Sequence, residues 1–318
     1  MIYPRVTNKL ISENVVDILN TNRSKLNQLN EQIATGKKIS KASDNPTGAV
    51  SILTTNTSMN KIESYKKNID SASSEMDATD RATLSLIDSI HRARDLTLQA
   101  ADASSGPSEL ASINDEIKQL TEQVKDIANT QFGNKYIFGG LVTSSAPFLK
   151  AGDNGDEVKY VGTDSTQNYQ RQVEIGENIK VDLNVAGDNI FGQYYTDKTT
   201  DPATTVSSGI IGTLKELSKE LETTPANYDN IRSKLNGLDA SLSKTLNVQA
   251  TVGGMMSRLD MTKNKLEEDN VTLTKFKSNI EDLDLPKAIS DLKFQQDSLQ
   301  ASLSISAKVM QASLLQYL

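Results

Sequence analysis

The sequence predicts a mainly α protein with a small inserted β domain: an elongated helical rod or coiled-coil bundle whose N- and C-terminal helices pair. Three observations predict it. Apolar residues recur at alternating spacings of three and four through both ends of the chain, the period of helices packed along a seam. Between those ends the character shifts to Gly, Asp, Asn, Thr and aromatic residues in short β-like runs. The composition is also lean, with 36% hydrophobic and 5% aromatic residues and no Trp in 318 residues. One globule of that size needs a richer core, whereas narrow helical seams need only a few apolar residues per heptad.

Residues 1–45 form an N-terminal assembly segment. Val15, Leu19, Asn22, Leu26, Leu29 and Ile33 follow the heptad-like spacing, and Gly36 ends the helix as a residue that tolerates the left-handed conformation. Residues 36–48 are a connector. Asp44 or Asn45 can cap the next helix, and Pro46 suits its first turn because the missing N–H costs nothing there.

Residues 46–130 read as a hairpin of long helices. The first carries Ile62, Tyr65, Ile69, Ala72, Met76, Thr79, Thr83, Leu86, Ile90, Ala93, Thr97 and Ala100 without a break in spacing, as far as about Ser104. At 1.5 Å per residue it would reach roughly 85–90 Å. Ser104-Ser105-Gly106-Pro107 interrupts the pattern. The second helix, to Thr130, has the cleanest stripe: Leu110, Ile113, Ile117, Leu120, Val124 and Ile127.

Residues 131–208 are the inserted β-rich domain. Its β-like runs are 135–140, 157–162, 169–176 and 179–187, with turn chemistry such as Asp153-Asn154-Gly155 between them. Residues 196–208 read as a polar linker. Helix returns in 209–285, at 210–221, 225–247 and 252–283, the last with Leu259, Thr262, Leu266, Asp269, Leu273, Phe276, Ile280 and Leu283 on one face. Pro286 then opens the C-terminal assembly helix, 286–318, whose stripe is Ile289, Leu292, Gln296, Leu299, Leu303, Ser306, Met310, Ser313 and Tyr317.

Apolar stripes on two terminal helices must be buried somewhere: against each other, against neighbouring subunits, or both. The candidate assembly interface is therefore Leu19, Leu26, Leu29 and Ile33 at one end of the chain. At the other it is Leu292, Leu299, Leu303, Met310, Leu314 and Tyr317.

Other functions find little support. The net charge is −7 with acids and bases interleaved, which argues against nucleic acid and against an anionic membrane surface. No apolar run is long enough to predict a transmembrane helix, and the N-terminus lacks the features of a cleaved secretory signal. There is no Cys, which removes disulfides, thiolate nucleophiles and Cys-ligated metals. The single histidine, His91, sits beside Arg92 and Arg94 and reads as solvated helix surface. Glu281, Asp282 and Asp284 could hold a divalent cation through oxygen ligands, but a charged turn before Pro286 is the simpler reading. Gly139-Gly140 and Gly253-Gly254 are too sparse to cradle phosphate. The first pair suits a turn or bulge, the second a helix irregularity or close packing. Tyr160, Tyr169, Tyr194 and Tyr195 could stack on sugars, with core packing the simpler alternative. No catalytic, cofactor or metal site is expected.

Two stretches near the N-terminus carry a family likeness. Gln32-Ile33-Ala34-Thr35-Gly36-Lys37-Lys38-Ile39, followed by Ala42-Ser43-Asp44-Asn45-Pro46-Thr47-Gly48, resembles the flagellin superfamily, with Lys38 where Arg is more usual. Other stretches are similar to the hook–filament junction branch of that superfamily rather than to its filament subunits. They are Asn134-Lys135-Tyr136-Ile137-Phe138-Gly139-Gly140 with Ala146-Pro147-Phe148, and residues 184–192, 252–259, 280–284, 300–303 and 313–318. Gly254 stands where that branch usually has Ala.

The resemblance implies an extracellular structural subunit of the bacterial flagellum, exported unfolded by the flagellar type III system without a cleaved signal. It implies a homo-oligomeric ring that joins the hook, through the first hook-associated protein, to the flagellin filament. A cytoplasmic export chaperone would hold the C-terminal helix beforehand. No cofactor, nucleic acid or membrane insertion is implied. The alternative is flagellin itself, or another flagellin-like secreted structural protein.

Overall fold

The spacing of three and four at the ends folds as helix, and the Gly- and Thr-rich middle folds as short strands. The computed structural model describes residues 8–102, 106–151, 157–163, 171–183, 185–197 and 204–315. In chain order these are helices α1 (Asn8–Thr35), α2 (Pro46–Ala100) and α3 (Pro107–Ala128), then strands β1 (Gln131–Phe132), β2 (Lys135–Tyr136), β3 (Phe148–Ala151), β4 (Glu157–Tyr160), β5 (Gln172–Gly176) and β6 (Ile179–Asp182). They continue with α4 (Gly187–Phe191), β7 (Gln193–Asp197), β8 (Thr204–Ser208), α5 (Gly209–Glu222), α6 (Tyr228–Glu281) and α7 (Leu285–Leu315). The fold is mainly α with small antiparallel sheets inserted between the terminal helices, as the sequence predicts. The chain divides into two compact units, Met1–Ile62 with Glu267–Leu318, and Glu63–Leu266.

In the second unit the stripe of α2 is buried: Ile69, Met76, Leu86, Ile90 and Ala93 are shielded from solvent. Thr79, Thr83 and Thr97 share that stripe because each hydroxyl donates to the carbonyl four residues earlier, at 2.9, 2.7 and 2.6 Å. A buried hydroxyl without that bond would be costly. α3 returns antiparallel to α2, with Arg92 paired to Glu116 at 2.5 Å and Gln99 Nε2 donating to Glu109 Oε1 at 2.8 Å. α5 covers α3, and within that contact Ser218 Oγ donates to Asn114 Oδ1 at 2.6 Å while Lys118 pairs with Glu222 at 2.7 Å.

The insertion is fastened to the same core by its aromatic residues. Phe191 meets Phe138 edge-on at 4.9 Å and Phe148 at 5.5 Å, and Phe148 also touches Tyr160 at 5.0 Å. Asn129, just past α3, clamps the start of β3. Its Nδ2 donates to Phe148 O at 2.9 Å and its Oδ1 accepts from Phe148 N at 3.0 Å. β3, β4, β7 and β8 form a four-stranded antiparallel sheet in that order, and β1–β2 and β5–β6 are separate ribbons.

Two expectations are corrected. The polar linker at 196–208 contains most of a strand pair, with Gln193 opposite Ser208 and Asp197 opposite Thr204. Tyr, Thr and Val favour extended backbone, and β8 is a sheet edge, where polar side chains are tolerated. Where β8 turns into α5, Gly192 (φ +66°) and Gly209 (φ +61°) face each other. A Cβ at Gly192 would lie 1.9 Å from Ser208 O, so only glycine fits.

The second correction concerns α6, which runs unbroken through 247–252 and through Gly253-Gly254. Neither close packing nor an irregularity explains that pair: both glycines are exposed, and a Cβ at either would meet nothing within 4 Å. Each glycine costs about 1 kcal/mol of helix propensity. Burial of Val252 and Leu259 on the opposite face offsets this.

Candidate functional site: the paired terminal helices

The terminal helices belong to the first unit, and their connectors are joined before the helices meet. Gly36 takes φ +69° and turns the chain out of α1. Lys37 then bridges Asp282 as an isolated antiparallel β pair. Lys38 N donates to Glu281 O at 2.6 Å, and Leu283 N donates to Gly36 O at 3.0 Å. The Lys37 ammonium reaches Glu281 at 2.6 Å and Lys277 approaches the same carboxylate at 3.6 Å. Hydrogen bonding to Glu281 raises the pKa of Lys37 above its ordinary value.

Each connector also caps the helix that follows it. Asp44 Oδ2 accepts from Lys41 N at 2.9 Å and Ser40 N at 3.1 Å, which holds its carboxyl below the ordinary value. Of the two candidate caps, Asn45 is the one that serves α2, its Oδ1 accepting from Gly48 N at 3.0 Å. Ile39 is buried against Gly48, where an added Cβ would lie 2.5 Å from its Cδ1. Asp284 caps α7 through Lys287 N at 3.2 Å. The acidic trio is thus engaged: Glu281 with lysines, Asp282 with Ser278, and Asp284 as a cap. Among the described residues no group of three or more His, Asp or Glu is arranged to hold a metal.

α1 and α7 run antiparallel and pack on each other. Val15, Leu19, Asn22, Leu26, Leu29 and Ile33 are the half-buried stripe of α1. On α7 the inward stripe is Ala288, Leu292, Gln295, Leu299, Ser302 and Ser306. Leu292 and Leu299 therefore meet the α1 stripe, whereas Leu303 is 52% exposed and Ile289 and Gln296 also face outward. Met310 and Leu314 lie in α7 with side chains outside the described residues, as does the whole of Tyr317.

The inward stripe of α7 thus differs from the one read from α7 alone, with Ala288, Gln295 and Ser302 inward in place of Ile289, Gln296 and Leu303. Asn22 Nδ2 donates to Ser302 Oγ at 3.1 Å, and Gln295 Nε2 donates to Asn22 Oδ1 at 3.1 Å. The sequence signal for this layer is Asn22, the polar member of the α1 stripe between Leu19 and Leu26, but nothing in α1 alone points to its partners. Sequence reasoning also missed a second apolar set that points away from the pair: Leu10, Val16 and Ile18 on α1, and Phe294 and Ile305 on α7.

The remaining candidates lie elsewhere. His91 is exposed on α2. Tyr160 and Tyr194 pack against the core, Lys159 Nζ sits 4.9 Å from the centre of the Tyr195 ring, and Tyr169 lies outside the described residues. No helix among the described residues is long and apolar enough to cross a membrane.

Comparison with known proteins adds a family to this geometry. Residues 6–143 match the bacterial flagellin N-terminal helical region, and residues 235–318 match the bacterial flagellin C-terminal helical region. The chain is 24% identical over 323 residues to flagellar hook-associated protein 3 of Escherichia coli (strain K12), covering 98% of each. It is 23% identical over 310 residues to flagellin of Bacillus subtilis (strain 168), covering 96% of each. Among solved structures, the flagellar junction protein FlgL from Legionella pneumophila superposes with a TM-score of 0.55 at 16% identity, over 74% of this chain and 100% of that one.

Proposed function

The chain belongs to the bacterial flagellin family, and on that premise we propose that it is a non-enzymatic structural subunit joining the flagellar hook to the filament. In this reading it forms a homo-oligomeric ring. The first hook-associated protein lies on the hook side and flagellin on the filament side. The full-length similarity to flagellar hook-associated protein 3 supports the junction reading.

One observation carries the assembly part of the proposal. The α1–α7 pair buries one stripe of each helix and still presents Val16, Ile18, Phe294 and Ile305 outward. Single exposed apolar residues are ordinary, but two helices that already share a seam have no intramolecular need for a second apolar set. Packing between subunits gives that set a use. Export is proposed to run through the flagellar type III system as an unfolded chain, with a cytoplasmic chaperone on the C-terminal helix.

Flagellin is the second reading, favoured by the nearly equal identity and coverage of the Bacillus subtilis flagellin. Deletion of the gene separates the two. Hooks without filaments, with flagellin monomers shed into the medium, are the expected result. Loss of the major filament protein itself, with junction proteins intact, would make this chain a filament subunit.

A further inference from the structure

We propose that Asn22, held between Gln295 and Ser302, is a register-setting residue that fixes which face of α7 turns toward α1. The inference deepens the assembly reading, because the same choice decides which apolar residues of α7 remain outward.

The sequence of α7 carries two competing faces. Hydrophobicity alone favours the stripe Ile289, Leu292, Gln296, Leu299 and Leu303, which offers four large apolar side chains. The structure uses Ala288, Leu292, Gln295, Leu299 and Ser302 instead, which offers two. A seam that gives up apolar burial must gain something else.

That gain is found at Asn22, the polar member of the heptad-spaced stripe Val15, Leu19, Asn22, Leu26, Leu29 and Ile33. Asn22 is half-buried near the middle of α1, and an amide enclosed by a seam is costly unless its donor and acceptor are both used. Both are used. Its Nδ2 donates to Ser302 Oγ at 3.1 Å, and its Oδ1 accepts from Gln295 Nε2 at 3.1 Å. Gln295 Nε2 also approaches Asn22 O at 3.4 Å. Gln295 and Ser302 lie seven residues apart, on one face of α7 two turns from each other. They thus bracket Asn22 from both sides.

Turning α7 to its more apolar face would move Gln295 and Ser302 away and replace them with Gln296 and Leu303. Leu303 has no group that can bond an amide. A single buried Asn that selects register at some expense of stability is a known device in helical seams. In this chain it also has an outward consequence. While Asn22 holds Ser302 inward, Leu303 and Ile305 stay exposed, at 52% and 60%.

Because the chain contains no cysteine, engineered disulfides can read the register directly in full-length protein. Ile33 lies three turns after Asn22, and on the antiparallel partner the buried Ala288, two turns before Gln295, is level with it, so a pair there leaves Gln295 and Ser302 intact. Ile33→Cys combined with Ala288→Cys should oxidise readily, and Ile33→Cys combined with Ile289→Cys poorly, as judged by mobility on a non-reducing gel. Adding Asn22→Leu to both pairs should invert that preference, and adding Asn22→Ser should preserve it. An unchanged preference in the Asn22→Leu background would overturn the proposal. So would loss of both cross-links there, since Asn22 would then hold the helices together rather than select their register. The readout does not depend on where in the flagellum the chain resides, so failure of the junction reading would leave this result interpretable.

Discussion

Helices α1 and α3 carry the same heptad-like spacing, yet they are buried to different depths. Leu110, Ile113, Ile117, Leu120 and Val124 of α3 are all buried, whereas Val15, Leu19, Leu26, Leu29 and Ile33 of α1 are all half-buried. The difference lies in the number of covering elements. α3 packs on α5, is tied to α2 through Arg92–Glu116 and Gln99–Glu109, and shares one buried cluster with α2, α5 and α6, while among the described residues α1 shares its stripe with α7. Periodicity tells which face of a helix is apolar. How deeply that face is buried depends on its neighbours, and a two-helix pair leaves the flanks of both stripes in water.

The largest expected effect tests this difference in depth. Phe191→Ala removes a fully buried ring that touches Phe138 and Phe148, and should cost about 3–5 kcal/mol in denaturant unfolding. Leu26→Ala removes a half-buried side chain from the α1 stripe, and should cost about 1–2 kcal/mol, confined to the amide protection of α1 and α7. Equal losses from the two substitutions would break the comparison, because the terminal seam would then be as well enclosed as the core.

A second pair of substitutions sharpens the comparison within α7. Leu299 faces α1 and Leu303 faces outward. Leu299→Asp should destroy amide protection along the pair, since it puts a charge into the seam. Leu303→Asp should leave that protection within about 0.5 kcal/mol of the parent and should still reduce incorporation into flagella. If Leu303→Asp disrupts the pair as severely as Leu299→Asp, the assignment of faces is wrong.

The same contrast explains what could be read from the sequence. The stripe of α2 from Ile62 to Ala100 was legible residue by residue, because a continuously covered helix places every third or fourth side chain inside. Of its twelve positions all but Tyr65 are buried, and Tyr65 is half-buried. Leu292 and Leu299 were legible on α7, but Ile289 and Leu303 misled. A partner's single amide moved the face, and one helix read alone cannot report its partner. The continuity of α6 was hidden by Gly253-Gly254, whose local preference is overridden by burial of Val252 and Leu259. The β7–β8 pair was hidden by polarity. Its signal was the run Thr204-Thr205-Val206 opposite Tyr194-Tyr195-Thr196, since β-branched and aromatic residues favour strands even on an exposed edge.

The smallest expected effect lies in the connector after α1, where little is buried and hydrogen bonds must define the turn. Asp44 accepts backbone N–H groups from Lys41 and Ser40, and these bonds favour its charged form. Its folded pKa is therefore depressed below the ordinary 3.8, so the folded chain binds this proton less readily than the unfolded one. The stabilisation is fully present above the unfolded value and is lost as pH falls through the folded one. Lys37 in the same unit behaves in the opposite sense. Its pKa is raised from 10.5 by Glu281, so its contribution is present at neutral pH and disappears only in strong alkali. Acid should accordingly loosen the 40–44 turn while Lys37 remains charged. An NMR titration of Asp44 should give a midpoint below 3.8, with the Ser40 and Lys41 amide shifts following it, and Asp44→Asn should abolish that response. A midpoint at or above the ordinary value would mean that the turn is not held by this carboxylate. The connector would then owe its shape to Ile39 packed on Gly48 and to the bridge between Lys37 and Asp282.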